Sequence, residues 1–174
     1  MSERPSAVWA GRIDAPAVVV LDPAGAESIP PAWQPLLDHV QVMWCSLPVA
    51  DGPWHEVEDL FAEFDERGVP VHVVTRAPAS ARALHVAEEH RRVVRSVLLI
   101  DPEIEPDGHA RVVARSDDGA LPLRDPAAVE AVVEALVEED IGDSPSPPVP
   151  SLLADAFAAL RESVAGVLER VRKA

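Results

Sequence analysis

The chain has a single cysteine, Cys45, and no apolar run long enough to cross a bilayer. One cysteine excludes an internal disulfide and any zinc site with several cysteine ligands, which agrees with a reducing compartment. The longest apolar runs, APAVVVL and VLLI, fall far short of the roughly 20 residues of a membrane helix. The N-terminus does not resemble a secretory signal. We therefore expect a soluble, cytoplasmic protein without a membrane partner.

Basic residues are also scarce. Fifteen lysines and arginines stand against 30 acidic residues, which gives a net charge of −15. Such a field repels phosphate backbones and anionic lipids unless a local basic patch overrides it. The richest basic cluster, Arg91, Arg92 and Arg95, comes at the end of a predicted helix, where cations stabilise the C-terminal dipole. We expect no nucleic-acid partner.

The common motifs of metal and phosphate sites are missing as well. The six histidines show neither HxH nor HExxH spacing. The turn DPAGAES (22–28) has one glycine and acidic residues near both ends, which disfavours a bound phosphate. We expect no metal and no cofactor.

The sequence does contain an alternation of strands and helices. Runs rich in β-branched residues, each closed by a turn signal, predict buried strands at residues 15–23, 40–48, 69–76 and 93–102. Amphipathic patterns predict helices at 54–68, ending at Gly68, and at 78–90. This alternation predicts an α/β fold, a three-layer sandwich with a mostly parallel sheet.

After Pro102 the pattern changes. Residues 109–125 predict either a hairpin or a strand followed by a loop. A helix is predicted at 125–142, with Asp125 as its N-cap and Pro126 in its first turn. We assign residues 1–141 to one domain.

The C-terminal region has a different composition. Residues 142–151, GDSPSPPVPS, predict a proline-rich, semi-rigid linker, and residues 152–174 predict an amphipathic helix. Its apolar residues follow a heptad seam: Leu153, Phe157, Leu160, Val164, Val167 and Val171. The seam can pack back onto its own domain, or it can join two copies or bind a protein partner. The sequence leaves these alternatives open.

Four segments in order resemble the front half of the α/β-hydrolase fold, from Ala15 to Pro102. They are VVVLDPAGAES, AWQPLLDHVQVMWCSLP, VEDLFAEFDERGVPVHVV and HRRVVRSVLLIDP. In that family the first segment contributes to the oxyanion hole, and the strand that ends the third leads into a nucleophile elbow. The resemblance implies a hydrolase-like scaffold over about half of the chain.

The resemblance fails at the positions where that family keeps its chemistry. Ala77 stands at the nucleophile position and cannot attack a carbonyl. Pro78 has no N–H to donate where the next residue supplies half of the oxyanion hole, and Asp22 and Pro23 stand at the other half, where a carboxylate repels an oxyanion. The resemblance leaves only Asp117 or Asp118 as the triad acid, and no histidine follows His109. We therefore predict no catalytic residue of the usual kind.

The turns that follow the predicted strands bound the expected pocket, because open α/β sheets bind ligands at the carboxyl ends of their strands. These turns are 22–28, 45–49, 75–80 and 101–103. The candidate pocket residues are Asp22, Trp44, Cys45, Ser46, Arg76, Ser80 and Asp101. With Arg76 and Trp44, such a pocket favours a small anionic or aromatic ligand.

Three functions follow from these observations. The first is a non-catalytic α/β-hydrolase-like protein that acts by ligand or protein binding. The second is a hydrolase or transferase with a displaced nucleophile, Ser80, Cys45 or Ser46, with His72 or His39 as a base for the thiol. The third is an assembly module that forms homodimers or larger oligomers through its C-terminal helix.

Overall fold

The computed structural model describes residues 7–47, 54–108 and 110–142. Its centre is a six-stranded sheet with the order β1-β3-β2-β4-β5-β6. The strands are β1 (Ala7–Gly11), β2 (Ala17–Asp22), β3 (Gln41–Ser46), β4 (Val71–Arg76), β5 (Val94–Ile100) and β6 (Ala110–Ala114). β1 runs antiparallel to β3, and every other neighbouring pair is parallel.

Helices cover both faces of this sheet. They are the 3₁₀ helix η1 (Pro31–Asp38) and the α-helices α1 (His55–Arg67), α2 (Ser80–Glu89) and α3 (Pro126–Gly142). One apolar core lies between the sheet and η1 with α3, and it includes Trp33, Trp44 and Val132. The other lies between the sheet and α1 with α2, and it includes Phe61 and Cys45. The predicted α/β three-layer architecture is confirmed.

Local sequence explains most of these elements. All six residues of β2, AVVVLD, are buried, as expected for a strand that is covered on both faces. Gly68 ends α1 in the left-handed conformation with φ of 64°. Asp125 accepts a hydrogen bond from the Ala127 N–H at 2.8 Å, so it caps α3 as predicted.

The structure also departs from the sequence-based expectations. β1 was not expected. Of the two alternatives for residues 109–125, the second is confirmed in the described part, where β6 (Ala110–Ala114) is followed by a loop. The predicted linker at 142–151 and helix at 152–174, with its seam residues, lie outside the described residues apart from Gly142, which ends α3. None of the described helices combines the length and apolar character needed to span a bilayer.

Candidate functional site

The parallel strands bring four turns to one edge of the sheet. β2, β3, β4 and β5 all point the same way, so Asp22, Ser46, Arg76 and Asp101 lie at or just after the carboxyl ends of neighbouring strands. This edge is where open α/β sheets bind ligands. A ligand site is therefore expected at this edge.

The turn after β2 starts with a buried carboxylate. Asp22 is 3% exposed, and its Oδ2 accepts a hydrogen bond from the Trp44 indole Nε1 at 3.1 Å. Its Oδ1 accepts another from the Ala24 N–H at 2.9 Å. Trp44 is fully buried and packs edge-to-face on Trp33, with ring centroids 5.3 Å apart. Asp22 and Trp44, two of the predicted pocket residues, therefore bond to each other and to the surrounding fold and not to a ligand site.

The middle of the same turn approaches the end of β3 closely. Gly25 has φ of +69°, and a Cβ placed on it would lie 2.6 Å from the Ser46 Oγ. Only glycine fits there. The Ser46 hydroxyl accepts a long hydrogen bond of 3.4 Å from the Ala26 N–H, and Arg124 donates to the Gly25 carbonyl at 3.0 Å.

An open cleft of about 640 Å³ lies beside this contact. Its lining residues are Pro23, Ala24, Gly25, Ala26, Glu27, Ser28, Pro30, Pro31, Ser46, Leu47 and Arg124. Ser46 is the one predicted pocket residue that lines it. The turns at 75–80 and 101–103 do not, so the cleft is displaced from the expected centre toward β2, β3 and the loop before α3.

Arg124 was not anticipated from the sequence. The Trp33 Nε1 donates to the Leu123 carbonyl at 2.8 Å, and this buried bond joins positions 90 residues apart. It fixes the neighbouring Arg124 at the cleft. No local sequence pattern predicts a contact between residues so far apart in the chain.

Hydrogen bonds to the backbone hold the turn after β4. The buried Thr75 hydroxyl donates to the Leu21 carbonyl at 2.9 Å. Arg76 donates to the Ala77 carbonyl at 3.4 Å and to the Leu121 carbonyl at 3.3 Å. Ala77 and Pro78 follow without a nucleophilic group. Arg76, predicted to bind a ligand, thus directs two of its N–H groups to the backbone and does not line the cleft.

The start of α2 completes this turn. Ser80 is the first residue of the helix and is fully buried, and its hydroxyl has no hydrogen-bond partner among the described residues. The Ala81 N–H donates to the Glu103 carboxylate at 3.1 Å. The positive end of this helix is thus occupied by a carboxylate of the chain itself.

Cys45 does not have the surroundings of a nucleophile. It is 3% exposed, and burial, together with the charge of Glu56, raises the pKa of its thiol to about 12. His72 cannot serve as its base, because His72 bonds to Ser96 and to Glu139 of α3 on the opposite face of the sheet. His39 precedes β3, and four strand residues, 41–44, at about 3.3 Å each lie between it and Cys45.

The contact of His72 with Ser96 and Glu139 looks at first like a catalytic relay. Its Nδ1 lies 2.8 Å from the Ser96 Oγ and 3.2 Å from a Glu139 carboxylate oxygen. A relay needs the two ring nitrogens to serve different partners, whereas one nitrogen serves both here. Ser96 is also fully buried. Partial burial opposes the charge of Glu139, but His72 and Ser96 hold the pKa of this carboxyl below its usual value.

Asp101 anchors the loop after β6. Its carboxylate accepts hydrogen bonds from the Ser116 N–H and hydroxyl, both at 2.6 Å, and from the Leu121 N–H at 2.8 Å. Burial opposes its charge, but these bonds and nearby Arg76 hold the pKa of Asp101 below its usual value. Asp118 caps its own turn through Ser116 and Ala120. Neither carboxylate meets a histidine among these contacts.

The described residues hold no group of three His, Cys, Asp or Glu side chains placed to bind a metal ion. Among those residues no serine or cysteine combines an accessible position with a histidine partner. The arrangement can hold a ligand in the cleft, and it brings together no complete hydrolytic machinery.

Comparison with protein families and with curated proteins gives no match. Solved structures of α/β-hydrolase fold proteins are similar to this chain.

The likeness is limited in extent. Naproxen esterase from Bacillus subtilis matches with a TM-score of 0.39 and 16% identity over 54% of this chain and 38% of its own. An α/β-hydrolase fold protein from Burkholderia ambifaria matches at 0.40 and 19% over 91% and 63%. A bacterial membrane phospholipase A matches at 0.41 and 20% over 95% and 58%. The chain spans less than two thirds of each of these proteins, and nothing about its activity follows from them.

Proposed function

We propose that this chain is a non-catalytic, α/β-hydrolase-like protein that binds a small anionic ligand at the carboxyl edge of its sheet. The observation that carries the proposal is the cleft beside Gly25. At about 640 Å³ it has the size of a small-molecule site, and it lies at the edge where such folds bind ligands.

Arg124 supports the anionic character of the ligand. It is the one cation that lines the cleft, and a single hydrogen bond to the Gly25 carbonyl uses only part of its guanidinium. A guanidinium carries five N–H donors in a planar fork, which suits a carboxylate, whereas Glu27 in the same lining disfavours the higher charge of a phosphate. The hydroxyls of Ser28 and Ser46 line the same cleft and add polar contacts for orientation.

The contacts around each proposed nucleophile support the non-catalytic part. Ala77 and Pro78 offer no nucleophile at the turn after β4. Cys45 is buried with a raised pKa, and Ser80 is buried without a base. Ser46 reaches the cleft, but its hydroxyl is bonded to the Ala26 N–H and not to a base. The alternative of a displaced nucleophile thus has no specific observation in its favour.

Titration of the ¹⁵N-labelled protein with benzoate and with phosphate tests the proposal. Benzoate combines a carboxylate with an aromatic ring, and phosphate is an anion without one. We expect benzoate to shift the amide signals of Gly25, Ala26 and Leu47. Arg124→Gln should abolish these shifts, while Arg91→Gln, an exposed arginine paired with Glu88 on α2, should preserve them.

Two outcomes would contradict different parts of the proposal. Absence of shifts with both anions at millimolar concentration would contradict the anionic ligand. Covalent labelling of any serine by a fluorophosphonate probe would contradict the absence of catalysis, because only an activated hydroxyl reacts rapidly with it.

A further inference from the structure

One end of the sheet exposes large apolar side chains. Trp9 is 47% exposed and Ile13 is 60% exposed, and Met43 beside them is half-buried. Gln41 joins them: its side-chain oxygen accepts from the Trp9 indole N–H at 3.3 Å, and its amide nitrogen donates to the Ile13 carbonyl at 3.1 Å. We call Trp9, Ile13 and Met43 the β1 patch.

The β1 patch lies on the face of the sheet that carries α1 and α2. Val8 and Ala10 point to the other face and pack against the core under η1. Trp9 pairs with Met43, which packs against the core under α1 and α2, yet β1 adds no residue to that core. In the described part of the chain, the helical layer on this face therefore stops short of β1.

We propose that residues 152–174 of the same chain cover the β1 patch with their predicted apolar seam. Trp9 and Ile13 are both exposed and are linked through Gln41, and exposed apolar side chains grouped in this way are typical of a surface that a partner covers. A heptad seam is an apolar surface that also needs a partner. Contact between the two would bury both apolar surfaces.

The length of the intervening chain permits this contact. α3 ends at Gly142, and Glu139 in its last turns meets His72 near the amino end of β4. Ile13 and the start of β3 lie at the same edge of the sheet. The three strand spacings from β4 to β1 amount to about 14 Å. Ten residues, 142–151, span at most about 33 Å, which is enough to pass around the edge.

Charge favours the same chain over a second copy. Residues 152–174 contain four basic and three acidic residues, whereas residues 1–151 contain 11 basic and 27 acidic ones. The segment is thus weakly basic and the body strongly acidic. A second copy would bring another net charge of −15 to the surface, which opposes association.

Cysteine labelling in the full chain tests the proposal. Ile13→Cys places a thiol in the β1 patch, and buried Cys45, with its pKa of about 12, does not compete for maleimide at neutral pH. Leu160→Asp added to this variant puts a charge in the seam, and Ala159→Asp puts the same charge off it. We expect Leu160→Asp to speed labelling about tenfold and Ala159→Asp to leave the rate within about twofold.

Equal labelling rates in the three variants would overturn the proposal. So would protection that rises with protein concentration together with a dimer mass, because that result assigns the β1 patch to a second copy. If Leu160→Asp lowers the melting temperature, oxidation of Ile13→Cys/Leu160→Cys replaces it. An intramolecular disulfide that forms faster than in Ile13→Cys/Ala159→Cys supports the proposal, and equal rates overturn it.

Discussion

The turns after β2 and β4 follow neighbouring buried strands at the same edge of the sheet, yet they differ in what they leave free. At the β4 turn, Arg76 bonds to backbone carbonyls and the α2 N-terminus holds Glu103. At the β2 turn, Gly25 and Ser46 border a cleft that Arg124 also lines. The cleft that the described residues form thus lies beside the β2 turn, and the β4 turn does not line it. On this scaffold we therefore expect a ligand at the β2 turn, where the cleft lies.

Of the changes in the β2 turn, removal of the Asp22 carboxylate should lower the free energy of unfolding most. In Asp22→Ala the buried Trp44 indole N–H loses its acceptor and the Ala24 N–H loses another. We expect a loss of about 3 kcal/mol in the free energy of unfolding, because buried donors to a carboxylate are left unpaired. Urea denaturation measures this. Asp118→Ala removes an exposed carboxylate that caps its own turn, so it serves as the control and should cost clearly less.

The sequence predicts much of the fold because burial on both faces leaves a local pattern. The unbroken AVVVLD of β2 and the buried stripe of α3, including Val129 and Val133, are such patterns. β1 leaves none. Its five residues, AVWAG, are half-exposed, and their partners in β3 lie 30 to 38 positions further along the chain.

The site was less predictable for a related reason. The sequence indicates the carboxyl edge of the sheet, where the cleft lies, and includes Ser46, which lines it, among its candidates. It cannot show that Arg76 is bonded to backbone carbonyls, nor that the bond from Trp33 to Leu123 sets Arg124 at the cleft. Both depend on contacts between residues that are distant in the chain.

A second variant tests whether the close approach in the β2 turn shapes the cleft. Gly25→Ala and Gly119→Ala both place a side chain at a φ above 60°, but only the Gly25 Cβ would meet Ser46, at 2.6 Å. We expect a loss of about 2–3 kcal/mol for Gly25→Ala and about 1–2 kcal/mol for Gly119→Ala. Thermal unfolding compares the two. Ser46→Gly should restore part of the loss in Gly25→Ala, and no restoration would refute the contact.

Asp101, which lies beside the β4 turn, gives a pH-dependent test. Asp101→Asn should lower the free energy of unfolding by about 2 kcal/mol at pH 7, because the charged acceptor of three hydrogen bonds is lost. The folded pKa of Asp101 lies below its usual value. Its contribution is therefore complete above the usual aspartate pKa of about 4 and is lost as the pH falls through the folded pKa.

Urea midpoints measured from pH 7 downward should show the two proteins converging below about pH 4. A difference that stays constant across this range would mean that the charge of Asp101 does not stabilise the loop after β6.

The smallest expected change in stability concerns Ser80. It tests whether the Ser80 hydroxyl has a hydrogen-bond partner in the β4 turn. Its hydroxyl is fully buried and has no hydrogen-bond partner, so Ser80→Ala removes a desolvation cost and breaks no bond. We expect the free energy of unfolding to stay unchanged or to rise by up to about 1 kcal/mol. Thr75→Val in the same turn removes the bond to the Leu21 carbonyl and should cost about 1 kcal/mol. If Ser80→Ala proves as destabilising as Thr75→Val in urea denaturation, the Ser80 hydroxyl has a partner, and the β4 turn is less closed than its contacts indicate.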